Sequence, residues 1–287
     1  MNSVLPTIAS LCLFFSVCYG QGESEPNLSY ATQNDILYRD SNEAASDAYI
    51  KERCRLDIYY PSNKPHFTTV VWFHGGGLKG GSKNIPPELK EQGIAVVAVN
   101  YRLYPKVHSP VFIDDAAASI AWTFENIEKY GGDPNRIFIA GHSAGGYLVS
   151  MVGLDRSYLA KYGIDANKIA GVIACSGQMI THMVMREERK IPNTQPIIDQ
   201  FAPLYHVRAD APAMILITGD RNLELLGRYE ENAYMMRMMK EAGHKKTELY
   251  EIQGHGHVEM CKPAITILLT QTDRLLKQYL HKPMLSK

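Results

Sequence analysis

A serine between glycines lies in residues 141–146, which read GHSAGG. The largely apolar segment 136–140 precedes this motif and an apolar stretch follows it, so it joins a predicted strand to a predicted helix. A sharp turn between two such elements lifts the hydroxyl of Ser143 clear of the sheet, where an electrophile can reach it. We therefore predict that Ser143 is a nucleophile, held in a strained backbone conformation that the neighbouring glycines permit.

A second glycine cluster, HGGG at residues 74–77, follows the apolar segment 70–73. Attack on a carbonyl builds negative charge on its oxygen, and backbone N–H groups must meet that charge at hydrogen-bonding distance. Glycines let the main chain approach without side chains in the way. We predict an oxyanion hole formed by the N–H groups of Gly76, Gly77 and Ala144. Either glycine cluster alone could be an ordinary turn, but the two together favour acyl transfer.

Two histidines, His255 and His257, lie in a glycine-rich segment after the last predicted strand. A nucleophilic serine needs a neutral imidazole nearby to accept its proton. The chain order serine, acid, histidine places that base here. We favour His257 as the general base, with His255 as the alternative.

The acid that orients the base should follow the predicted strand 213–218, which ends at Gly219. Asp220 and Glu224 come next, and both are chemically adequate. Either one could instead be a surface charge paired with a neighbouring arginine. We favour Asp220 and keep Glu224 as the alternative.

Alternating strands and helices must position these residues. The predicted strands are 53–60, 68–73, 94–101, 136–140, 169–175, 213–218 and 247–252. Helical patterns follow at 109–130, after Ser143, at 229–242 and at 263–280. This alternation predicts an α/β fold with a mostly parallel central sheet and helices on both faces. Residues 176–210 interrupt the rhythm and are either a partial cap or a long connection.

Composition limits the classes of function. The chain has 287 residues, of which 45% are hydrophobic and 21% charged, as expected for one large globular domain. Thirty basic and thirty acidic residues cancel, which argues against nucleic acid or anionic lipid as a partner. The widely spaced Cys54, Cys175 and Cys261 form neither a disulfide framework nor a metal site. No metal or cofactor is predicted, and nothing indicates an oligomeric state.

Residues 1–20 differ from the rest, because they contain no Lys, Arg, Asp or Glu and are largely apolar from 8 to 18. The apolar run is too short to span a bilayer comfortably, and Gly20 precedes a polar stretch. We predict a signal peptide, so the protein would be secreted or periplasmic; the alternative is a buried N-terminal element. The polar residues 21–45 are predicted to be an arm before a catalytic domain at 46–287.

From about residue 50 onward the chain resembles the α/β-hydrolase esterases that carry an HGGG loop. These include the hormone-sensitive-lipase-like enzymes and the secreted bacterial acetyl or feruloyl esterases. The motifs that carry the resemblance are HGGG at 74–77, YRLYP at 101–105, Asp114-Asp115, DPNR at 133–136, GHSAGG at 141–146, APL at 202–204 and GHGH at 254–257. Enzymes of this kind usually carry their acid about three residues after the glycine that ends the strand, a position occupied here by Asn222.

The resemblance implies a serine carboxylic ester hydrolase that works through an acyl-enzyme on a short-chain or aromatic acyl ester. The bacterial members and the predicted export suggest an acylated carbohydrate. A C–N hydrolase such as a formamidase resembles the chain nearly as well. A catalytically weakened binding module on the same fold is the alternative from another class, and Asn222 is the feature that favours it.

Overall fold

The computed structural model describes residues 27–280; the predicted signal peptide, 1–20, lies outside them. Within this range eight strands form one sheet in the order β1-β2-β4-β3-β5-β6-β7-β8. The strands are β1 Tyr30–Leu37, β2 Arg55–Pro61, β3 Phe67–Phe73, β4 Ala95–Val99, β5 Gly132–His142, β6 Gly171–Cys175, β7 Met214–Gly219 and β8 Thr247–Ile252. β1 and β2 pair antiparallel to their neighbours, and all the other pairs are parallel.

Helices connect the strands and cover the sheet. They are α1 Ser41–Ser46, α2 Ala48–Arg53, α3 Val111–Asn126, α4 Ala144–Leu154, α5 Arg156–Ala160, α6 Met183–Glu188, α7 Arg228–Glu241 and α8 Cys261–Leu280. Short 3₁₀ turns lie at Pro87–Leu89, Ile127–Tyr130, Ala166–Lys168 and Pro203–His206. In the part of the chain that the structure describes, no helix combines the length and apolarity that crossing a membrane requires.

Two apolar cores lie on opposite faces of the sheet, as β7 shows. Met214 and Leu216 point into the core shared with α3, α4 and α7, whereas Ile215 and Ile217 join the core under α8. Side chains alternate between the faces of a strand, so a strand covered on both sides must be apolar throughout. The predicted α/β class, with a mostly parallel sheet and helices on both faces, is confirmed.

The N-terminal region differs from the predicted arm, because residues 30–37 form β1 at the edge of the sheet. β1 pairs with β2, and the rings of Tyr30 and Tyr59 stack at 4.8 Å. Every residue of β1 is exposed or half-buried. An edge strand with little burial needs no alternation of apolar and polar residues, so the polar sequence of this region did not predict a strand.

The segment 176–210 is mostly loop and contains only α6 and the turn Pro203–His206 as helical structure. It packs on α4, the helix that follows Ser143. The hydroxyl of Tyr147 on α4 donates to the carbonyl of Phe201 at 2.8 Å. Met179 and Met185 contribute buried side chains to the core on that face. The segment is therefore anchored beside α4, and its first residue borders the candidate site.

Candidate active site

β5 ends at His142 and α4 begins at Ala144, so Ser143 occupies the turn between them. Its backbone has φ 55° and ψ −114°, a conformation that L residues rarely adopt. Two hydrogen bonds hold it there. The N–H donates to the carbonyl of Cys175 at 2.8 Å, and the carbonyl accepts from the N–H of Tyr147 at 3.0 Å. The hydroxyl is thereby held at the carboxyl edge of the sheet.

Glycines on both sides of Ser143 let this turn pack against β3. A Cβ on Gly141 would lie 2.6 Å from the carbonyl carbon of Gly145, and a Cβ on Gly145 would lie 2.1 Å from the carbonyl oxygen of Phe73. Both neighbours are backbone atoms, one in α4 and one in β3, which cannot move aside as a flexible side chain can. The GxSxG spacing is thus a packing requirement of the turn.

Replacing Gly145 with alanine is expected to reduce the free energy of unfolding by more than about 3 kcal/mol, because the new methyl overlaps backbone. Gly80→Ala is the control, since a Cβ at Gly80 meets nothing within 4 Å and its φ is not positive. Urea denaturation of both variants measures the difference. Equal stability of the two variants would contradict the packing argument.

The HGGG segment leaves β3 and passes directly beside Ser143. A Cβ on Gly75 would lie 3.3 Å from the Cβ of Ser143. Gly76 has φ +109°, and a Cβ there would lie 2.2 Å from the carbonyl oxygen of Gly80. The N–H groups of Lys79 and Gly80 both donate to the carbonyl of Gly76 at 3.0 Å. This tight loop therefore requires glycine at position 76 and places its backbone next to the Ser143 side chain.

His257 lies between the serine and a carboxylate. Its Nε2 is 2.9 Å from the hydroxyl oxygen of Ser143, and its Nδ1 is 2.9 Å from Oε2 of Glu224. His255 is exposed, and its Nδ1 lies 3.0 Å from the carbonyl of Gln253. Of the two candidate histidines, the structure therefore places His257 against Ser143, whereas the side chain of His255 points to solvent and bonds its own loop.

The preference for Asp220 over Glu224 requires correction, because Asp220 does not contact the imidazole. Its carboxylate accepts from the N–H groups of Asn222 and Gly254, each at 2.9 Å, in the turn after β7. The N–H of Glu224 donates to the carbonyl of Asp220, so the chain completes a helical turn between them. Position 224 therefore returns towards the sheet, and its longer side chain reaches His257.

Four hydrogen bonds surround the carboxylate of Glu224, whose side chain is 1% exposed. Oε1 accepts from the N–H of Gly219 at 2.9 Å and from the hydroxyl of Ser176 at 2.7 Å. Oε2 lies 2.9 Å from His257 Nδ1 and accepts from the N–H of Leu225 at 3.1 Å. Burial raises the pKa of Glu224, but the hydrogen bonds from His257, Gly219 and Ser176 outweigh it and lower this pKa to about 2. Glu224 is therefore an anion at neutral pH.

Ser176 directly follows β6 and was not among the site residues predicted from the sequence. Its side chain is fully buried and contacts both Glu224 and His257. Functional side chains in parallel sheets gather where strands end at their carboxyl edge, and that rule is the signal that could have identified this residue.

His142, the residue before Ser143, supports the loop that carries His257. Its Nε2–H donates to the carbonyl of His257 at 2.8 Å, and the two rings lie 4.8 Å apart. Burial, together with the nearby His257, lowers the pKa of His142 to about 4. His142 is therefore neutral at physiological pH.

The buried neutral His142 makes stability depend on pH. Between about pH 6.5 and 4 the unfolded chain binds a proton at this residue that the folded chain does not, so stability falls as the pH is lowered. We expect His142 to contribute roughly 3 kcal/mol to this loss. Urea denaturation between about pH 6.5 and 4 measures how the free energy of unfolding depends on pH. This dependence should be shallower in His142→Gln than in the unmodified protein, and it should be unchanged in the exposed control His255→Gln. Equal slopes in the two variants would contradict the assignment.

A cavity of about 410 Å³ borders the site at Gly75 and His142. Its remaining lining is Trp72, His74, Asn84, Pro86, Pro87, Glu88, Val258, Glu259, Cys261, Lys262 and Ile265. The lining thus combines apolar side chains with one amide, two carboxylates, one ammonium group and two imidazoles. Among residues 27–280, no group of three or more His, Cys, Asp or Glu side chains is arranged to hold a metal ion.

Comparison with known proteins gives the family. Residues 56–225, more than half of the chain, match the BD-FAE family. A probable isoprenylcysteine alpha-carbonyl methylesterase of rice is 37% identical over 103 residues, which cover 34% of this chain and 24% of the rice protein. The carboxylesterase NlhH of Mycobacterium tuberculosis is 38% identical over 101 residues, 33% of this chain and 32% of that enzyme. The matches thus span a quarter to a third of these relatives.

Solved structures share the architecture over most of the chain. A truncated carbohydrate esterase from gut microbiota superposes with a TM-score of 0.68 at 19% identity, covering 89% of this chain and 99% of its own. Esterase 2 of Thermogutta terrifontis, in a form phosphorylated by paraoxon, superposes with a TM-score of 0.65 at 21% identity. The superposition covers 89% of this chain and 95% of the esterase. The sheet order, the strand-to-helix turn at Ser143 and the family match all indicate the same fold. This chain belongs to the BD-FAE family and has the α/β-hydrolase fold.

Proposed function

We propose that this protein is a serine carboxylic ester hydrolase. The observation that carries the proposal is the hydrogen-bonded series of Ser143, His257 and Glu224, with 2.9 Å at each contact of the imidazole. A nucleophile, a base and a carboxylate in this arrangement can activate a hydroxyl for attack on an acyl group. The relatives named as methylesterase and carboxylesterase support the same class of reaction.

In the proposed reaction the oxygen of Ser143 attacks the ester carbonyl while His257 Nε2 accepts the hydroxyl proton. The anionic Glu224 stabilises the imidazolium that results. Collapse of the tetrahedral intermediate breaks the bond to the alcohol, which takes the proton from His257 and leaves an acyl-enzyme. Water then attacks this ester while His257 accepts one of its protons. His257 returns that proton to the oxygen of Ser143 as the bond to the acyl carbon breaks, and the carboxylic acid departs.

The oxyanion hole is proposed to consist of the N–H groups of Gly76, Gly77 and Ala144. Ala144 is the first residue of α4, so its N–H has no intrahelical acceptor and lies at the positive end of the helix. The N–H of Ser143 itself is engaged by Cys175 and is not available for this role. The proximity of Gly75 to Ser143 brings the glycine loop to the same place.

We further propose a short-chain or aromatic acyl ester of a carbohydrate as the substrate, and secretion or periplasmic export of the enzyme. The cavity beside Gly75 and His142 supports the first part, because its amide, carboxylate and ammonium groups are suited to a polyhydroxylated alcohol. The gut-microbial structural neighbour is named as a carbohydrate esterase. The charge-free apolar segment in residues 1–20 supports export.

Hydrolysis of nitrophenyl acetate by purified residues 21–287, together with labelling by a fluorophosphonate, tests the reaction class. We expect turnover and a single covalent adduct, which peptide mass spectrometry should place on Ser143. Acetylated and feruloylated sugars then test the substrate class, and an N-formyl arylamine tests C–N hydrolysis. Absence of both turnover and adduct would overturn the hydrolase proposal and favour a binding module.

A further inference from the structure

The hydroxyl of Ser176 contacts both groups that act on the nucleophile. Its oxygen lies 2.7 Å from Oε1 of Glu224 and 2.9 Å from Nδ1 of His257. The residue is fully buried, so water does not compete for these bonds. In the proposed reaction Ser176 neither forms a bond nor transfers a proton.

The number of hydrogens on Ser176, Glu224 and His257 determines which group donates and which accepts in each hydrogen bond. An ionised carboxylate can only accept, so the single hydroxyl hydrogen of Ser176 must go to Glu224. The hydroxyl then presents a lone pair to Nδ1 of His257, which must carry a hydrogen to satisfy both Ser176 and Glu224. With Nδ1 protonated, Nε2 of the neutral ring has a free lone pair, as acceptance of the Ser143 proton requires.

The backbone of Ser176 is fixed in an unusual conformation. Its φ is 50°, in the left-handed region that side chains disfavour. The N–H donates to the carbonyl of Ile217 at 2.7 Å, and the carbonyl accepts from the buried guanidinium of Arg228. The next carbonyl, of Gly177, accepts from the side chain of Asn232 at 2.9 Å. Neighbours on β7 and α7 thus hold the hydroxyl towards the Glu224–His257 pair.

We propose that Ser176 is a positioning residue that holds Glu224 and His257 in one geometry and selects the His257 tautomer with a free Nε2. This inference rests on the proposed hydrolase function of the same site. It extends the arrangement of three side chains to a fourth that reaches the substrate only through the others.

Ser176→Ala and Ser176→Gly test the proposal together, because both remove the hydroxyl and glycine also accommodates the positive φ. We expect kcat per fluorophosphonate-titrated site to fall about ten-fold in both variants with KM nearly unchanged. If Ser176 acts through Glu224, the same substitutions in a Glu224→Gln background should cost less than about two-fold. If the role of Ser176 is purely structural, Ser176→Ala and Ser176→Gly should lose kcat to different extents, or the full loss should also appear in the Glu224→Gln background. Either result overturns the proposal.

Proton NMR provides a readout that does not need turnover. A hydrogen of Nδ1 shared with a carboxylate gives a far-downfield signal, which should shift in both Ser176 variants and disappear in Glu224→Gln. If the unmodified protein neither hydrolyses esters nor binds the fluorophosphonate, the proposed function fails, and a shifted signal would still support the positioning role. A signal that stays unchanged in both Ser176 variants would overturn the role of Ser176.

Discussion

Ser143→Ala should lower kcat/KM for nitrophenyl acetate by about 10⁴-fold or more, because it removes the only atom proposed to form the acyl-enzyme. His257 and the glycine loop remain, so the residual rate reflects binding and oxyanion stabilisation alone. The methyl of alanine occupies the position of the serine Cβ, and the turn should keep its geometry. Initial-rate kinetics and fluorophosphonate labelling measure the effect, and the adduct should be absent.

Ser157→Ala is the control, since Ser157 is exposed at the start of α5. Its rate should match that of the unmodified protein. Thermal unfolding of both variants shows whether a lost rate reflects lost structure. If Ser143→Ala is folded and keeps more than about a tenth of the activity, the nucleophile is another residue.

Glu224→Gln should lower kcat by about 10³- to 10⁴-fold, the scale found when an amide replaces the carboxylate behind a catalytic histidine. Glutamine preserves the size of the side chain but not the charge that stabilises the imidazolium. Its amide also offers hydrogens where the N–H of Gly219 and the hydroxyl of Ser176 need an acceptor. Steady-state kinetics at neutral pH measure the loss.

Asp220→Asn tests which of the two candidate acids, Asp220 or Glu224, orients His257. Asp220 organises the turn through the N–H groups of Asn222 and Gly254, and asparagine retains one acceptor oxygen for them. We expect its activity to stay within about ten-fold of the unmodified protein. A larger loss in Asp220→Asn than in Glu224→Gln would restore Asp220 as the acid.

Local sequence pattern was sufficient to predict the strands β2 to β8 and the turn that carries Ser143. Strands buried on both faces must be apolar, and β8 was predicted with the bounds Thr247–Ile252 that the structure shows. The turn at Ser143 was predictable because glycine is required where a Cβ would overlap backbone at Gly141 and Gly145. β1 was not predicted, because an edge strand in which no residue is buried needs no alternation of apolar residues.

The sequence by itself determined the α/β class and indicated Ser143, the HGGG loop and two possible histidines, because each depends on residue types within one short segment. Only the tertiary structure decided that Glu224, not Asp220, contacts His257, and that Ser176 joins them. Those contacts depend on how one turn after β7 folds back and on where β6 ends beside it. Side-chain reach across loops is a property of three-dimensional packing, and no periodicity along the chain records it.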